Sequence, residues 1–262
     1  MNKLMDFYDP GLYELNVGHA PRVGDAYREQ LAPLGAGIRI MELGCGIGDV
    51  LLPLVSAGAY GIGVDNSPEM LRHFAGRLER LPAETARRVE LVDETLPALP
   101  AREAVDAVLL PNDLVAHVLG DDDVDTMFRN AHRALRPDGV LILDMERFDV
   151  TFLASVTGPD GGLTRTHGFF DYPDDRLLRV DEQSRYDPVS GLMNSTFRYQ
   201  ILNSEAVVEQ TRYRTLRQYP RRPREVTRAL ELAGFEVTDV HESAFPPGLD
   251  HVMVVARARR SR

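Results

Sequence analysis

The feature that most constrains this chain is a glycine-spaced turn between an apolar segment and a helix-like segment, at residues 38–49. Its sequence is Ile-Arg-Ile-Met-Glu-Leu-Gly-Cys-Gly-Ile-Gly-Asp. Glycine at such a turn lets the backbone lie against a ligand where a Cβ atom would clash. The helix that follows adds free backbone N–H groups and a partial positive charge at its N-terminus. The motif therefore predicts a strand, a turn that binds a small-molecule cofactor, and a helix.

A second acidic position, Asp65, narrows the class of cofactor. It ends the apolar segment 60–65, which is the next predicted strand along the chain. A carboxylate at the end of the second strand of a doubly wound sheet binds a ribose diol. This position suits an adenosine cofactor of either kind, a nicotinamide dinucleotide or S-adenosylmethionine.

Two acidic residues beside the glycines favour S-adenosylmethionine. Asp49 stands where the dinucleotide fingerprint G-x-G-x-x-G has its third glycine, and a carboxylate there would face a pyrophosphate. Glu42 lies just before the first glycine and suits a ligand with a cationic or amine group. A nicotinamide cofactor and a degenerate, non-catalytic Rossmann-like domain remain as alternatives.

Composition and charge argue against several classes of partner. The chain has 262 residues and a net charge of −10 without a long basic stripe, which argues against nucleic acid. No apolar run approaches the roughly 20 residues that cross a membrane, and residues 1–6 lack the apolar core of a signal peptide. The single cysteine, Cys45, fits a reducing compartment. We therefore expect a cytoplasmic protein with a small-molecule substrate and no nucleic-acid or membrane partner. We also expect no metal, since no His, Cys and Asp spacing resembles a metal site.

The periodicity of the sequence predicts the fold class and its division. Strand-like and helix-like segments alternate over the first 146 residues, which predicts a parallel sheet covered on both faces. Ser67 is expected to cap the helix after the second strand, and residues 137–139 are expected to form a turn before the fifth strand. Residues 163–217 instead alternate with period 2 between turn signals, as in an antiparallel meander. A helix at 224–233 and two strands at 235–240 and 252–256 close the chain. The prediction is an α/β fold: a Rossmann-like, seven-stranded, mostly parallel sheet with an antiparallel β insertion after the fifth strand.

We expect three parts along the chain. Residues 1–36 form an N-terminal lid or helical segment, and residues 37–146 and 218–262 form the Rossmann-like core. Residues 147–217 form the insertion, which is expected to be a substrate wall or lid because it leaves from the ligand-binding edge of the sheet. A sheet without a role at the site is the alternative.

Successive motifs at 42–48, 63–71 and 135–139 resemble those of class I S-adenosylmethionine-dependent methyltransferases, and the resemblance covers about residues 5–257. Segments 7–13 and 112–117 make the chain most similar to small-molecule enzymes such as aminosugar and glycine/sarcosine N-methyltransferases. The resemblance implies S-adenosyl-L-methionine as cofactor, S-adenosyl-L-homocysteine as its product and no metal. It implies methyl transfer to a small-molecule acceptor, with an amine nitrogen first. An O-methyltransferase and a non-methylating S-adenosylmethionine-binding protein are the alternatives.

The resemblance also implies cofactor-binding roles. Glu42 would lie near the methionine ammonium group, Asp65 would bind the ribose hydroxyls, and Asp93 would accept from the adenine amino group. Glu94 remains an alternative to Asp93, because the spacing to the following Leu-Pro pair departs from the family pattern. The expected cofactor-binding set is Tyr8, Glu42, Gly44, Cys45, Gly46, Asp65, Asn66, Met70, Asp93, Glu94 and Asn112.

His117 is the first candidate for a general base, since it follows the fourth strand and the ordinary pKa of histidine lies near neutrality. A histidine at a helix start or in a polar contact is the alternative. Asp113 is expected to orient His117 or to hold a substrate ammonium, with helix N-capping as the alternative. Tyr13 is expected to close over the cofactor, with plain packing as the alternative. Arg217 and Tyr219 are expected to contact an acidic or hydroxylated substrate. The insertion sheet would also suit a homodimer.

Overall fold

The chain forms two compact units in the computed structural model, which describes residues 9–17, 23–100, 104–158, 163–242, 244–245 and 250–259. The first unit comprises the described residues of 21–147 and 221–262, and we call it the core unit. The second comprises those of 1–20 and 148–220, and we call it the insert unit. Within the described residues, no helix is long and apolar enough to cross a membrane.

The core unit alternates strands and helices, as the sequence predicts; elements are numbered along the whole chain. Its strands are β1 (Arg39–Leu43), β2 (Tyr60–Asp65), β3 (Val89–Asp93), β4 (Val105–Leu110), β5 (Leu135–Glu146), β10 (Phe235–His241) and β11 (His251–Ala258). Its helices are α2 (Gly24–Leu31), α3 (Leu51–Ser56), α4 (Pro68–Leu78), α5 (Ala83–Ala86), α6 (Leu114–His117), α7 (Asp121–Ala134) and α9 (Pro223–Leu232), with a 3-10 turn at Ala32–Leu34.

These strands form one seven-stranded sheet in the order β10-β11-β5-β4-β1-β2-β3. Strand β11 runs antiparallel to β5 and β10, and the pairs β5–β4, β4–β1, β1–β2 and β2–β3 are parallel. The predicted seven-stranded, mostly parallel sheet is therefore confirmed. The strand order reverses direction between β1 and β4, and ligands of open α/β sheets bind at the carboxyl edge beside such a point.

Successive side chains of the central strands point to opposite faces of the sheet and build two apolar layers. Ile40 and Leu109 belong to the layer on one face, and their neighbours Met41 and Leu110 belong to the layer on the other. Helices α2, α3 and α4 cover the first face, and α7 and α9 cover the second. Their largest fully buried side chains include Tyr27, Leu51, Phe74 and Phe128.

One predicted boundary differs from the structure. The segment 137–139 was expected to be a turn before the fifth strand, but β5 already begins at Leu135. Val105 of β4 pairs with Leu135, whereas Ala107 pairs with Val140, so the intervening residues bulge out of the ladder. Asp138 adopts a left-handed φ of 66° there. The turn chemistry therefore produces a bulge inside a strand instead of ending one.

The insert unit is a four-stranded antiparallel meander with two helices, and it confirms the predicted insertion after the fifth strand. Its elements are α1 (Pro10–Val17), α8 (Val150–Ser155), β6 (Leu163–Tyr172), β7 (Arg176–Asp187), β8 (Leu192–Leu202) and β9 (Val208–Gln218). Leu12 of α1 joins the apolar cluster on one face of this sheet. The Asp9 carboxylate pairs with Arg212 and Arg214 of β9, at 3.4 and 3.6 Å. Residues 9–17 therefore pack on the insertion, whereas α2 packs in the core unit.

Candidate functional site

The glycine turn follows β1 and places its three glycines in left-handed conformations. Gly44, Gly46 and Gly48 have φ values of 65°, 51° and 85°. A Cβ atom on Gly44 would lie 2.6 Å from Leu114, and one on Gly48 would lie 2.3 Å from the Phe74 ring. A Cβ atom on Gly46 would have no described atom within 4 Å. The outer glycines thus permit close packing, while Gly46 leaves open space beside the turn.

Glu42 of β1 is a buried carboxyl group that forms no ion pair with the residues that the structure describes. Its side chain is 1% exposed, and its Oε2 has no hydrogen-bond partner among the residues that the structure describes. The nearby backbone N–H of Leu51 lowers the pKa of this carboxyl, against the effect of burial. Burial raises the pKa of Glu42 well above its usual value, and the nearby charges of Asp49 and Asp65 raise this pKa further. A cationic ligand group beside Glu42 would offset the cost of burying this negative charge.

Asp65, at the end of β2, connects the second strand to the glycine turn. One carboxylate oxygen accepts the backbone N–H of Gly46 and the other accepts that of Ser67, each at 2.8 Å. Burial raises the pKa of Asp65, although these N–H donors oppose the shift. Ser67 in turn accepts the backbone N–H of Met70 at 3.3 Å and caps α4, as predicted. The turn, the acid and the start of α4 are therefore fixed together.

Asp49 has a partner that the sequence did not reveal. Its carboxylate accepts a hydrogen bond from the Arg77 guanidinium at 2.6 Å, and the same nitrogen donates to the carbonyl of Ile47 at 2.9 Å. This contact compensates the charge of Asp49, which weakens the argument that Asp49 would repel a pyrophosphate. The preference for an amine-bearing cofactor accordingly depends on Glu42.

The expected adenine-side residues cluster near Asp65. Asp93 is its register partner on β3 and is exposed, and the backbone N–H of Glu94 donates to the carbonyl of Asp65 at 3.1 Å. Asn66 is exposed and Met70 is buried. Both candidate acids thus lie at the same sheet edge, and the choice between them stays a prediction.

Cys45 lies inside the glycine turn and is buried. Its backbone N–H donates to the carbonyl of Val64 at 3.0 Å, and burial raises the pKa of its thiol far above the usual value. A neutral thiol in this position packs the turn and is not a nucleophile.

The segment after β4 forms the other side of the candidate site. Asn112 and Asp113 are consecutive left-handed residues, with φ values of 59° and 55°. Asp113 is 5% exposed, and its Oδ2 has no hydrogen-bond partner within the described part of the chain. Its side chain does not cap α6. Burial raises the pKa of Asp113 well above its usual value, as do the charges of Glu146 and Asp144. Asp113 is thus a second buried carboxyl group suited to a cation or a proton.

His117, at the end of α6, is half-buried. Desolvation lowers the pKa of its imidazole to about 4. The pKa of His117 therefore lies below the ordinary value of histidine. Near pH 7 the imidazole is neutral, so it can accept a proton, but it is a weaker base than an exposed histidine.

The remaining predicted residues belong to the insert unit. Tyr13 lies on α1, and Arg217 lies on β9 opposite Asn194 of β8. The ring of Tyr219 packs against the turn at Gly191, where a Cβ atom would lie 2.9 Å from the ring. Tyr8 lies outside the described residues. Their roles at the site stay predictions.

Sequence reasoning did not single out two buried charged residues, Asp144 and Arg221. Asp144 is fully buried in β5, and Arg221 is 6% exposed just after the insertion. A carboxylate inside the apolar segment 140–145 was a usable signal, because Asp is almost never fully buried unless it is paired. Arg221 gave no signal, since it lies in a short basic segment of ordinary appearance.

The site thus combines an open glycine turn with two buried, incompletely paired carboxyl groups at one sheet edge. Among the described residues, no three His, Cys, Asp or Glu side chains are grouped so as to hold a metal ion. The arrangement suits a ligand that carries an amine or another cationic group.

Residues 40–139 match the family profile described as "Methyltransferase domain". Among curated proteins, "Putative methyltransferase YqeM" of Bacillus subtilis is 25% identical over 136 residues, 51% of this chain and 52% of the relative. "Ubiquinone biosynthesis O-methyltransferase" of Bradyrhizobium diazoefficiens is 27% identical over 125 residues, 47% of this chain and 46% of the relative. The chain thus spans about half the length of the curated relatives it matches.

Solved structures resemble the chain over nearly its whole length. The CcbJ methyltransferase from Streptomyces caelestis has a TM-score of 0.75 at 20% identity and covers 99% of both chains. CalS10, an amino pentose methyltransferase from Micromonospora echinaspora, has a TM-score of 0.72 at 18% identity, with 95% of this chain and 97% of that chain covered. At these identities the likeness establishes the shared fold, insertion included.

Proposed function

We propose that this chain, whose residues 40–139 match a methyltransferase family profile, transfers a methyl group from S-adenosyl-L-methionine to a small-molecule acceptor. The observation that carries the proposal is Glu42, a buried carboxyl group with an unpartnered oxygen beside the glycine turn. Of the two adenosine cofactors considered, S-adenosylmethionine bears an ammonium group that would pair with this carboxylate. A dinucleotide would offer it a pyrophosphate.

Each part of the cofactor has a candidate partner in the core unit. Glu42 would hold the ammonium group, the backbone at Gly46 would contact the methionine part, and Asp65 would accept the ribose hydroxyls. Asp93 or Glu94 would meet the adenine. When bound, S-adenosylmethionine supplies a methyl group on a sulfonium, which is already activated for transfer. The protein then needs to orient a nucleophile, exclude water and accept a proton.

An amine nitrogen is the acceptor we favour, and Asp113 is the reason. Its buried, unpartnered oxygen would hold a protonated amine as that amine arrives. Because burial raises the pKa of Asp113, the carboxylate can also take the proton that must leave the nitrogen before it attacks. His117, neutral near pH 7, is the second candidate for this proton. The likeness to an amino pentose methyltransferase supports the same substrate class.

Two alternatives keep specific support. An O-methyltransferase is favoured by the similarity to "Ubiquinone biosynthesis O-methyltransferase", and a hydroxyl acceptor would make more use of His117 as a base. A binding protein without methyl transfer would keep the same cofactor residues. We further propose that the protein acts in the cytoplasm, given its single cysteine, and that the insertion sheet supports a homodimer.

Product analysis tests this proposal. The protein is incubated with methyl-labelled S-adenosylmethionine and separate panels of aminosugars, other amines and phenols. We expect label on an amine nitrogen of a small molecule. Label on a phenol oxygen alone would replace the amine assignment, and label only in protein or nucleic acid would refute it. Binding of the cofactor without turnover on any panel would favour the non-methylating alternative.

A further inference from the structure

The short helix α6, which carries His117, begins from a strained backbone. Asn112 and Asp113 are consecutive non-glycine residues in the left-handed region. Such a conformation persists only where the surrounding structure holds it. Leu114, the next residue, packs against Gly44 of the glycine turn. The segment 112–118 thus joins the proposed cofactor turn to the proposed acceptor residues, and its conformation requires a support.

Asp144 supplies that support at the start of the segment. Its Oδ1 accepts the backbone N–H of Asn112 at 2.9 Å, and its Oδ2 accepts that of Asp113 at 3.3 Å. Tyr27 donates its hydroxyl to Oδ1 at 2.6 Å, and Nδ1 of His251 lies 2.7 Å from Oδ2. The two oxygens therefore face partners from α2, the 112–113 backbone and β11. This arrangement fixes the carboxylate, which in turn fixes two strained residues.

Arg221 supplies a support at the end of the same segment. One guanidinium nitrogen donates to the carbonyls of Val115 and Val118, at 2.9 and 2.8 Å. The other terminal nitrogen donates to the carboxylate of Asp121, the first residue of α7, at 3.1 Å. The carbonyl of Val115 also accepts the backbone N–H of Val118 at 3.3 Å, so Arg221 adds a second donor there and supplies a donor to the carbonyl of Val118. Arg221 also lowers the pKa of Asp113 by its charge, against the larger effect of burial.

We propose that Asp144 and Arg221 are positioning residues that hold Asp113 and His117 in the geometry required by the acceptor. We call this pair the loop clamp. Asp144 holds the segment by its first N–H groups and Arg221 holds it by its last carbonyls. Neither residue touches the proposed cofactor-side acids Glu42 and Asp65 through a described hydrogen bond. The loop clamp therefore acts mainly through Asp113 and His117, and its catalytic meaning rests on the proposed function.

Conservative variants with matched controls test the loop clamp. Asp144→Asn keeps the shape but turns one acceptor oxygen into a donor, so one of the two strained backbone N–H groups loses its partner. Its control is Asp106→Asn, near the start of β4 and so at the opposite, amino-terminal edge of the same sheet. The Asp106 carboxylate accepts the backbone N–H of Arg39 and a guanidinium N–H of Arg136, both at 2.8 Å. Arg221→Lys leaves a single ammonium that cannot span both carbonyls and Asp121. Its control is Arg136→Lys in the Asp106 pair.

Two readouts separate positioning from general stability. Amide hydrogen exchange, followed on peptides covering 112–118, should be about 10-fold faster in both clamp variants, from the loss of one buried hydrogen bond. With an acceptor in hand, kcat should fall about 10-fold or more, while the Kd for S-adenosylhomocysteine, to which the expected role of Asn112 also contributes, should change by a smaller factor. Both controls should match the wild-type protein in both readouts.

The outcomes that overturn the inference differ from those that overturn the function. Wild-type exchange rates at 112–118 in both clamp variants would refute the loop clamp, and so would equal losses of kcat and cofactor affinity. A wild-type protein that transfers no methyl group to any panel would refute the proposed function. The exchange measurement would still decide whether Asp144 and Arg221 hold the segment.

Discussion

Replacing Glu42 by Gln should raise the stability of the free protein and lower its affinity for the cofactor. The carboxyl group is 1% exposed, one of its oxygens is unpartnered, and its pKa is raised by burial and by neighbouring carboxylates. Gln keeps the size of the side chain, but it cannot carry the negative charge. The substitution therefore removes the free-energy cost of burying a charge in the folded protein. It also removes the electrostatic attraction for a cationic ligand.

The sign of the stability change follows from the raised pKa. A carboxyl whose pKa is higher in the folded state binds more protons there than in the unfolded chain, so stability falls as pH rises above the unfolded pKa of about 4.3. Glu42→Gln abolishes this contribution. The free energy of unfolding of the variant should exceed that of the wild-type protein by about 1–3 kcal/mol at neutral pH, because an unpaired buried charge costs more than a neutral amide in the same position. The difference should shrink towards zero near pH 4.

The effect on the cofactor has the opposite sign. A hydrogen bond to a charged group contributes about 1.5–3 kcal/mol, so the variant should bind S-adenosylhomocysteine about 10- to 150-fold more weakly. Denaturant unfolding between pH 4 and pH 8 measures the first effect, and calorimetric titration measures the second. Glu84→Gln, at a side chain that is 84% exposed, is the matched control and should change neither quantity. Unchanged affinity together with unchanged stability would refute the role assigned to Glu42.

Three further substitutions test other parts of the site. Gly46→Ala should abolish cofactor binding, because the added methyl group enters the open space beside the turn. Its control, Gly37→Ala, has a φ of 75° and equally open surroundings, and it should bind the cofactor with wild-type affinity in calorimetric titration. Equal affinities in the two variants would contradict the placement of the ligand. His117→Gln should lower kcat without changing cofactor affinity. The pH–rate profile of the wild-type protein should show no inflection from a histidine near pH 6.5, since the pKa of His117 is about 4. An inflection near pH 6.5 that disappears in the variant would refute the desolvated environment of His117. Asp65→Ala should weaken S-adenosylhomocysteine binding by about 1–3 kcal/mol. It should also lower the melting temperature, because the backbone N–H groups of Gly46 and Ser67 lose their acceptor. Unchanged affinity in a folded variant would mean that the ribose site is elsewhere.

Local signals in the sequence were sufficient for the fold. Apolar runs separated by glycine turns and helix caps predicted the parallel sheet, and alternation with period 2 predicted the antiparallel insertion. Ser67 was predicted to cap α4 and does so. The exception at 137–139 arises because a turn sequence can also form a bulge inside a strand, a choice made by pairing with β4 and not by the local residues.

The candidate site was only partly legible from the sequence. Glu42 and Asp65 follow apolar segments directly, so their positions at the sheet edge could be read from the chain. The partners of Asp49 and Asp144 could not, because Arg77 and Tyr27 lie far away in sequence and meet them only after folding. The pKa of His117 is likewise set by tertiary burial, which no local pattern reports.

Calorimetric titration of the free protein with S-adenosylhomocysteine and, separately, with NAD tests the central claim most directly. We expect one binding site for S-adenosylhomocysteine with micromolar affinity or better, and no heat of binding from NAD. Micromolar binding of NAD, with no heat from S-adenosylhomocysteine, would contradict it.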